Sequence, residues 1–403
     1  MIVLHTPGHH EVTDTLIMYG LVEVIKTYRP FSAVKIIPSG DRYLIQTDLD
    51  KDAILKALEY YARNRWFVKT YLSRKPKEDK PSRNYVLSLF RKLPSTLKIH
   101  MLQRGNEEKQ FKNIIDSLEF LSNIKTNIES IFGRFKNKYD LIDRFLYISE
   151  NHRKIEGGEK IEVLCGKRSK SGRYPVIVAN LPIAPFGGTV QKVGAYRLCK
   201  LCVALAWIGL FYFSSRITVN SENTQHTYIH VFKPENLANG NIILMLRNIA
   251  QISFFRTSPL KKSGKDLVAP SIVIPLVLLS FGETSGALLE TEWKSITYVL
   301  SGERRANTWR TAIRSVKVFQ INSLMSFVEK AKTYSGKYVR LVDSLSKSED
   351  GLLSLSMLSE AIIYHDIDRL YTAIRQIRNV LAQKGSETLL DEGIIKAAFE
   401  VLT

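Results

Sequence analysis

An α+β fold is predicted by three features of the 403-residue sequence. Helical and strand spacings of apolar residues alternate over the first seventy positions, β-rich runs punctuated by Gly and Pro fill the middle, and long helical stripes stand at 107–135 and 367–381. Element by element, Ile2 to His5 reads as a short strand, and Leu16, Ile17, Tyr19, Leu21, Val24 and Ile25 make an imperfect helical stripe within 13–26. Ala33 to Ile37 and Tyr43 to Thr47 are β-rich and flank Pro38-Ser39-Gly40-Asp41, a turn cluster suited to a hairpin. Residues 50–63 place Ala53, Ile54, Ala57, Leu58 and Tyr61 on one helical face, and Trp66 to Leu72 returns as a strand. The order βαββαβ over 1–72 is ferredoxin-like.

Residues 73–82 hold Lys75-Pro76-Lys77-Glu78-Asp79-Lys80-Pro81 and no apolar side chain, as an exposed linker does. A helical segment is expected over 82–152, where Phe111, Ile114, Ile115, Leu118, Leu121, Ile124, Ile128, Ile131 and Phe135 step by three and four. A mixed, β-rich domain is expected over 153–300, with strands at Tyr174 to Ala179, Thr227 to Phe232 and Ile272 to Leu279 around an apolar helix at 198–213. Residues 301–403 read as a C-terminal helical bundle, its clearest stripe being Ile367, Leu370, Tyr371, Ile374, Ile377, Val380 and Leu381.

Composition removes several classes of protein. With 45% apolar residues the chain can build cores, so disorder is excluded by composition, and three cysteines are too few for a disulfide framework. Met1 to His5 has no basic stretch followed by an apolar one, and the apolar runs at 201–215 and 267–282 are shorter than a membrane span of roughly 20 residues. The expected compartment is the cytoplasm, with no membrane partner.

The net charge of +19 is concentrated. Residues 66–104 hold ten basic and two acidic side chains, 163–221 hold eight and none, 236–282 five and one, and 303–340 nine and two, whereas 341–403 hold six and ten. Basic thermophilic surfaces are normally rich in acid as well, so acid-poor tracts point instead to a polyanionic partner. Within them, Lys167-Arg168-Ser169-Lys170-Ser171-Gly172-Arg173 reads as a basic, flexible loop able to reach phosphates, with Arg197 in the same tract. Gly187-Gly188 permits close backbone approach ahead of Gln191, which can read a base edge, and Lys192, which can meet a phosphate. Arg256 after Phe254-Phe255, with Lys261, Lys262 and Lys265, combines aromatics and cations as single-strand binding wants. Arg304, Arg305, Asn307, Arg310, Arg314 and Lys317 recur at helical spacing, as one charged helix face. Each loop taken alone is equally well a solvated turn.

Catalytic chemistry finds less support. His5, His9 and His10 beside Glu11 could join acid and base, but a capping role in a strand-to-helix loop takes precedence where no partner nucleophile has a recognisable spacing. His226 and His230 fall on one side of a strand and read as ordinary histidines. Cys199-x-x-Cys202 with Cys165 supplies three sulfurs, one short of a structural zinc site; three sulfurs with a histidine is the alternative, but no neighbouring histidine is obviously placed, so buried apolar cysteines are expected and no metal or other cofactor. Phosphate-binding glycine loops, zinc-protease and nucleophile-elbow motifs are absent. A non-enzyme is expected, the alternative being a metal-independent ribonuclease that uses the N-terminal histidines.

His10-Glu11, Leu16 and Tyr19-Gly20-Leu21-Val22, together with Leu198-Cys199, Cys202, Leu205-Ala206 and Gly209, resemble the large subunit of archaeal type I-A CRISPR interference complexes, the Cascade assemblies. The motif-like part covers about a tenth of the chain, and the sequence lacks the second upstream cysteine of zinc-bearing relatives. The resemblance implies a non-catalytic antiviral-defence subunit. Such a subunit binds the 5′ end of a guide RNA, inspects the short motif beside the protospacer in target DNA, helps to open the strands and docks a separate helicase-nuclease. Its other partners would be the backbone and small subunits of the complex. No functional residue is carried over from the family.

Overall fold

The computed structural model describes residues 1–9, 11–64, 107–133, 138–152, 155–157, 160–162, 165, 167–169, 195–220, 224–247, 268–279, 285–305 and 308–403. The fold is α+β, and the chain forms two compact units, residues 1–213 with 237–244, and residues 214–236 with 245–403. No helix among the described residues is long and apolar enough to cross a membrane.

Unit 1 starts as the spacing predicts, with β1 (Ile2–His5), α1 (Glu11–Tyr28), β2 (Val34–Ser39), β3 (Arg42–Thr47) and α2 (Lys51–Asn64). The β2–β3 hairpin turns at Gly40, whose φ of 63° is the left-handed conformation that favours glycine. In the sheet β1 pairs antiparallel with β3, and β3 with β2. The expected strand at 66–72 and linker at 73–82 lie outside the described residues. The stripe at 107–135 forms two helices, α3 (Glu107–Ser122) and α4 (Ile124–Phe132), separated at Asn123, and α5 (Lys138–Phe145) follows. Two small ribbons come next, β4 (Ile155–Gly157) with β5 (Lys160–Glu162), and β6 (Lys167–Ser169) with β7 (Ala195–Arg197). They lead into α6 (Lys200–Phe213), which is buried on nearly all sides.

The core of unit 1 is the crossing of α1 and α6. Fifteen of the eighteen α1 residues are buried, with Glu11 and Asp14 in its first turn and Lys26 in its last, complementary to the helix dipole. Glycine is required at the crossing because the backbones touch. A Cβ at Gly20 would lie 2.1 Å from the Leu205 carbonyl oxygen, and one at Gly209 would lie 2.0 Å from that of Leu16. Tyr19 stacks on Phe213 beside this contact, with ring centroids 4.8 Å apart.

Unit 2 is built on β8 (Ser214–Asn220) and β9 (Thr224–Pro234), after which the chain returns to unit 1 for β10 (Ala238–Asn239) and enters α7 (Gly240–Met245). β10 pairs with β2, so the first sheet has the order β1-β3-β2-β10. Unit 2 resumes with α8 (Pro270–Leu279), α9 (Ser285–Leu288), and the long hairpin of β11 (Trp293–Arg305) and β12 (Thr308–Gln320). Its sheet is antiparallel throughout, in the order β12-β11-β9-β8. Five helices close the chain, α10 (Asn322–Ala331), α11 (Ser335–Leu345), α12 (Glu349–Tyr364), α13 (Ile367–Ala382) and α14 (Glu392–Leu402). Ser348, Asp366 and Asp391 cap three of them by accepting from the backbone N–H groups of Gly351, Arg369 and Gly393.

Two expectations are corrected. Ile272 to Leu279 is helical rather than a strand, because a continuous apolar run has no period of its own, and Pro270 suits the first helical position. The cations of 304–317 lie on the β11–β12 hairpin and not on a helix face. Trp309, Thr311 and Ile313 carry the period of two that the strand obeys, and the helical spacing of the arginines is incidental.

Candidate functional site

The loop between β1 and α1 is fixed before it offers a side chain to chemistry. Gly8 turns with φ of 67°, and the Asp14 carboxylate accepts from the backbone N–H groups of Gly8 (2.7 Å) and His9 (2.5 Å). The His9 ring is thereby held inward with 8% of its surface exposed. Its Nε2 lies 3.2 Å from Cys165 Sγ and 3.4 Å from Cys202 Sγ.

A second histidine arrives from the end of α5. Tyr147 takes a left-handed conformation, φ 66°, and its carbonyl accepts from the His5 N–H at 2.5 Å, turning the chain back so that His152 is buried. His152 Nδ1 is 3.1 Å from the carbonyl oxygens of Arg144 and Phe145. Carbonyls only accept, so the ring proton sits on Nδ1 and the Nε2 lone pair is directed elsewhere. It faces Cys202 Sγ at 3.3 Å and Cys199 Sγ at 3.4 Å.

The sulfurs come from two places. Cys202 stands in the first turn of α6, which the Gly20–Gly209 contact positions, and Cys199 stands immediately before that helix. Cys165 is two residues ahead of β6; its Sγ is 3.6 Å from Cys202 Sγ and accepts from the Cys199 backbone N–H at 3.0 Å. The Tyr147 hydroxyl is 3.1 Å from Cys202 Sγ. Burial pushes the Cys165 and Cys202 thiols well above their ordinary range. Burial acts the same way on Cys199, but hydrogen bonds to the Cys165 and Cys202 thiols and the neighbouring His152 imidazole outweigh it and hold that thiol well below its usual range. Among the described residues, His9, His152, Cys165 and Cys202 form a group close enough to hold a metal ion, with ligand atoms all within 4.8 Å of one another.

The expectation that the cysteines lack a nearby histidine is therefore corrected. His152 carries no local sequence signal, since it comes to the cysteines only through the turn at Tyr147. His9 was visible in its sequence cluster, but its partners stand 156 and 193 positions away.

The basic candidates are distributed on both units. Lys167 and Arg168 lie on β6 and Arg197 on β7, so the start of the expected flexible loop is a strand, with Lys167 and Arg197 at one rung of the ribbon. On the β11–β12 hairpin, Arg304 pairs with Trp309, Arg305 with Thr308 and Glu303 with Arg310. Arg314 is the extra residue of a bulge, since Val299 faces Ser315 and Leu300 faces Ile313. Lys317 is exposed on β12. Lys170, Arg173, Gln191, Lys192, Arg256, Lys261, Lys262, Lys265 and Asn307 lie outside the described residues, as does His10. His226 and His230 are buried on β9.

A family model described as CRISPR-associated protein (Cas_Csa4) matches residues 2–75 and 185–395. The matched stretches take in α1, the Cys199-x-x-Cys202 pair, α6 and the β11–β12 hairpin. No curated protein matches the chain.

Proposed function

The chain belongs to the Cas_Csa4 family of CRISPR-associated proteins, and from that premise we propose that it is the non-catalytic large subunit of a type I-A RNA-guided surveillance complex. It binds the 5′ end of the guide RNA and the target DNA beside the protospacer, helps to open the duplex, and offers a docking place to the helicase-nuclease. Guide pairing reads the target sequence in such a complex, so the protein needs scattered cations and a few amides rather than a catalytic constellation. The observation that carries the reading is the acid-free tract 163–221 with its eight basic residues, of which Lys167 and Arg197 share one rung of the β6–β7 ribbon. Like charges at directly opposed strand positions destabilise a ribbon, and a polyanion offsets that repulsion.

The alternative of a ribonuclease that processes guide RNA with the N-terminal histidines loses His9 as its base. A general base must reach its substrate, and the His9 ring is buried with Nε2 against two sulfurs.

Titration of target duplexes at several salt concentrations tests the reading within the assembled complex. Lys167→Ala, Arg197→Ala and Arg305→Ala should each weaken binding to all sequences and reduce the slope of log K against log salt by about one. Wild-type affinity and slope in all three would remove the support that charge gives to this function.

A further inference from the structure

We propose that unit 1 binds one zinc ion in a closed tetrahedral site formed by Nε2 of His9, Nε2 of His152 and the Sγ atoms of Cys165 and Cys202. The first support is metric. Zinc–sulfur bonds of about 2.3 Å and zinc–nitrogen bonds of about 2.1 Å give a tetrahedron whose edges run from about 3.4 Å between nitrogens to about 3.8 Å between sulfurs. The separations here are 3.6 Å for Cys165 to Cys202, 3.2 and 3.4 Å for His9 to the two sulfurs, and 3.3 Å for His152 to Cys202. Four of the six edges thus come within about 0.4 Å of that tetrahedron, and the four donor atoms, from positions 9, 152, 165 and 202, all lie within 4.8 Å of one another.

The second support is the shell around them. A ligating imidazole donates its other N–H outward, as His152 Nδ1 does to two carbonyls. A ligating thiolate accepts hydrogen bonds, and Cys165 Sγ receives the Cys199 N–H while Cys202 Sγ has the Tyr147 hydroxyl beside it. A neutral Cys202 thiol has one proton, yet its sulfur lies within hydrogen-bonding distance of four groups, His9, His152, Tyr147 and Cys165. One thiolate shared with a cation accounts for that crowding.

The donor set selects the metal and the role. Two thiolates and two imidazoles with no carboxylate suit zinc, and burial of all four leaves no open position for a substrate, so the ion is structural. It joins the loop before α1, the turn after α5, the root of β6 and the first turn of α6. Cys199 stands outside this group of four, with its backbone N–H on Cys165 Sγ and its own Sγ 3.4 Å from His152 Nε2. This inference stands whether or not the chain binds nucleic acid.

The test is elemental analysis of the full chain, purified reduced and without chelators. About one zinc per chain is expected. His152→Gln and Cys202→Ser should lose the ion and Cys199→Ser should keep it. Because loss of a ligand can also prevent folding, the wild-type chain is stripped and reloaded with cobalt(II), where the intense visible bands of tetrahedral thiolate coordination are expected, and their displacement by zinc. Absence of bound zinc together with absence of those bands overturns the site. Loss of zinc in Cys199→Ser with its retention in Cys202→Ser overturns the assignment of ligands.

Discussion

His230 illustrates how much one side chain can decide. It stands opposite Thr297 across β9 and β11, its Nδ1 is 2.8 Å from the Thr297 hydroxyl, and burial lowers its pKa from 6.5 to about 3. Below pH 6.5 the unfolded chain takes up a proton that the folded chain refuses until about pH 3. Stability is therefore lost as the pH falls through that window, by about 1.4 kcal/mol per pH unit. The check is denaturant unfolding between pH 6.5 and 5, in which wild type should lose stability more steeply than His230→Gln; equal slopes would show that this imidazole is protonated in the folded protein. Single residues are also where the sequence was least legible. Cys165, Cys199 and Cys202 were plain as a group, but the imidazoles that complete it depend on Asp14 holding the Gly8–His9 loop and on the left-handed turn at Tyr147, neither of which has a spacing to read.

At the scale of elements, the α1–α6 crossing invites a paired comparison. Gly209→Ala forces a methyl group into the Leu16 carbonyl and should cost about 1–3 kcal/mol or more through displacement of the helices. Gly336→Ala, in α11 with nothing within 4 Å of the added carbon, should instead stabilise by up to about 1 kcal/mol through helix propensity. Thermal melts of both variants check the pair, and a neutral Gly209→Ala would mean that the helices do not touch as described. The two segments that carried the family resemblance, Tyr19-Gly20-Leu21-Val22 and Leu205 to Gly209, meet at this crossing. Elements with one buried face were largely legible. Leu370, Ile374, Ile377, Val380 and Leu381 line the buried side of α13 at the spacing expected, whereas Ile367 and Tyr371 of the same stripe are exposed, and Tyr43, Ile45 and Thr47 alternate inward on β3. Elements buried on all sides, such as α8, or long strands whose cations fall at helical intervals, such as β12, presented a misleading period or none.

For the whole molecule, charge and topology set different constraints. Charge follows composition over long windows and needs no fold to be read, whereas the division into units follows contacts that the order of residues conceals. The basic tracts reach both units, with Lys167 and Arg197 in the first and the β11–β12 hairpin in the second. Unit 1 is completed by a segment that lies beyond two strands of unit 2. Ala238 and Asn239 pair with Ile36 and Lys35 on the outer side of β2, Lys26 Nζ donates to Asn241 at 2.7 Å, and Gly240 packs closely on Val34. On the ribosome, then, the hairpin of the first sheet leaves the exit tunnel well before the last strand of that sheet, and through that interval the outer edge of β2 lacks its partner, an edge of the kind that recruits foreign strands. A fragment ending at residue 213 makes that interval permanent. It should aggregate in gel filtration, and addition of a peptide of residues 237–244 should reduce that aggregation; no effect of the peptide would show that so short a strand protects nothing. Synthesis of this protein thus has an order built into it, in which the early half waits, with an adhesive margin exposed, for a few residues delivered late.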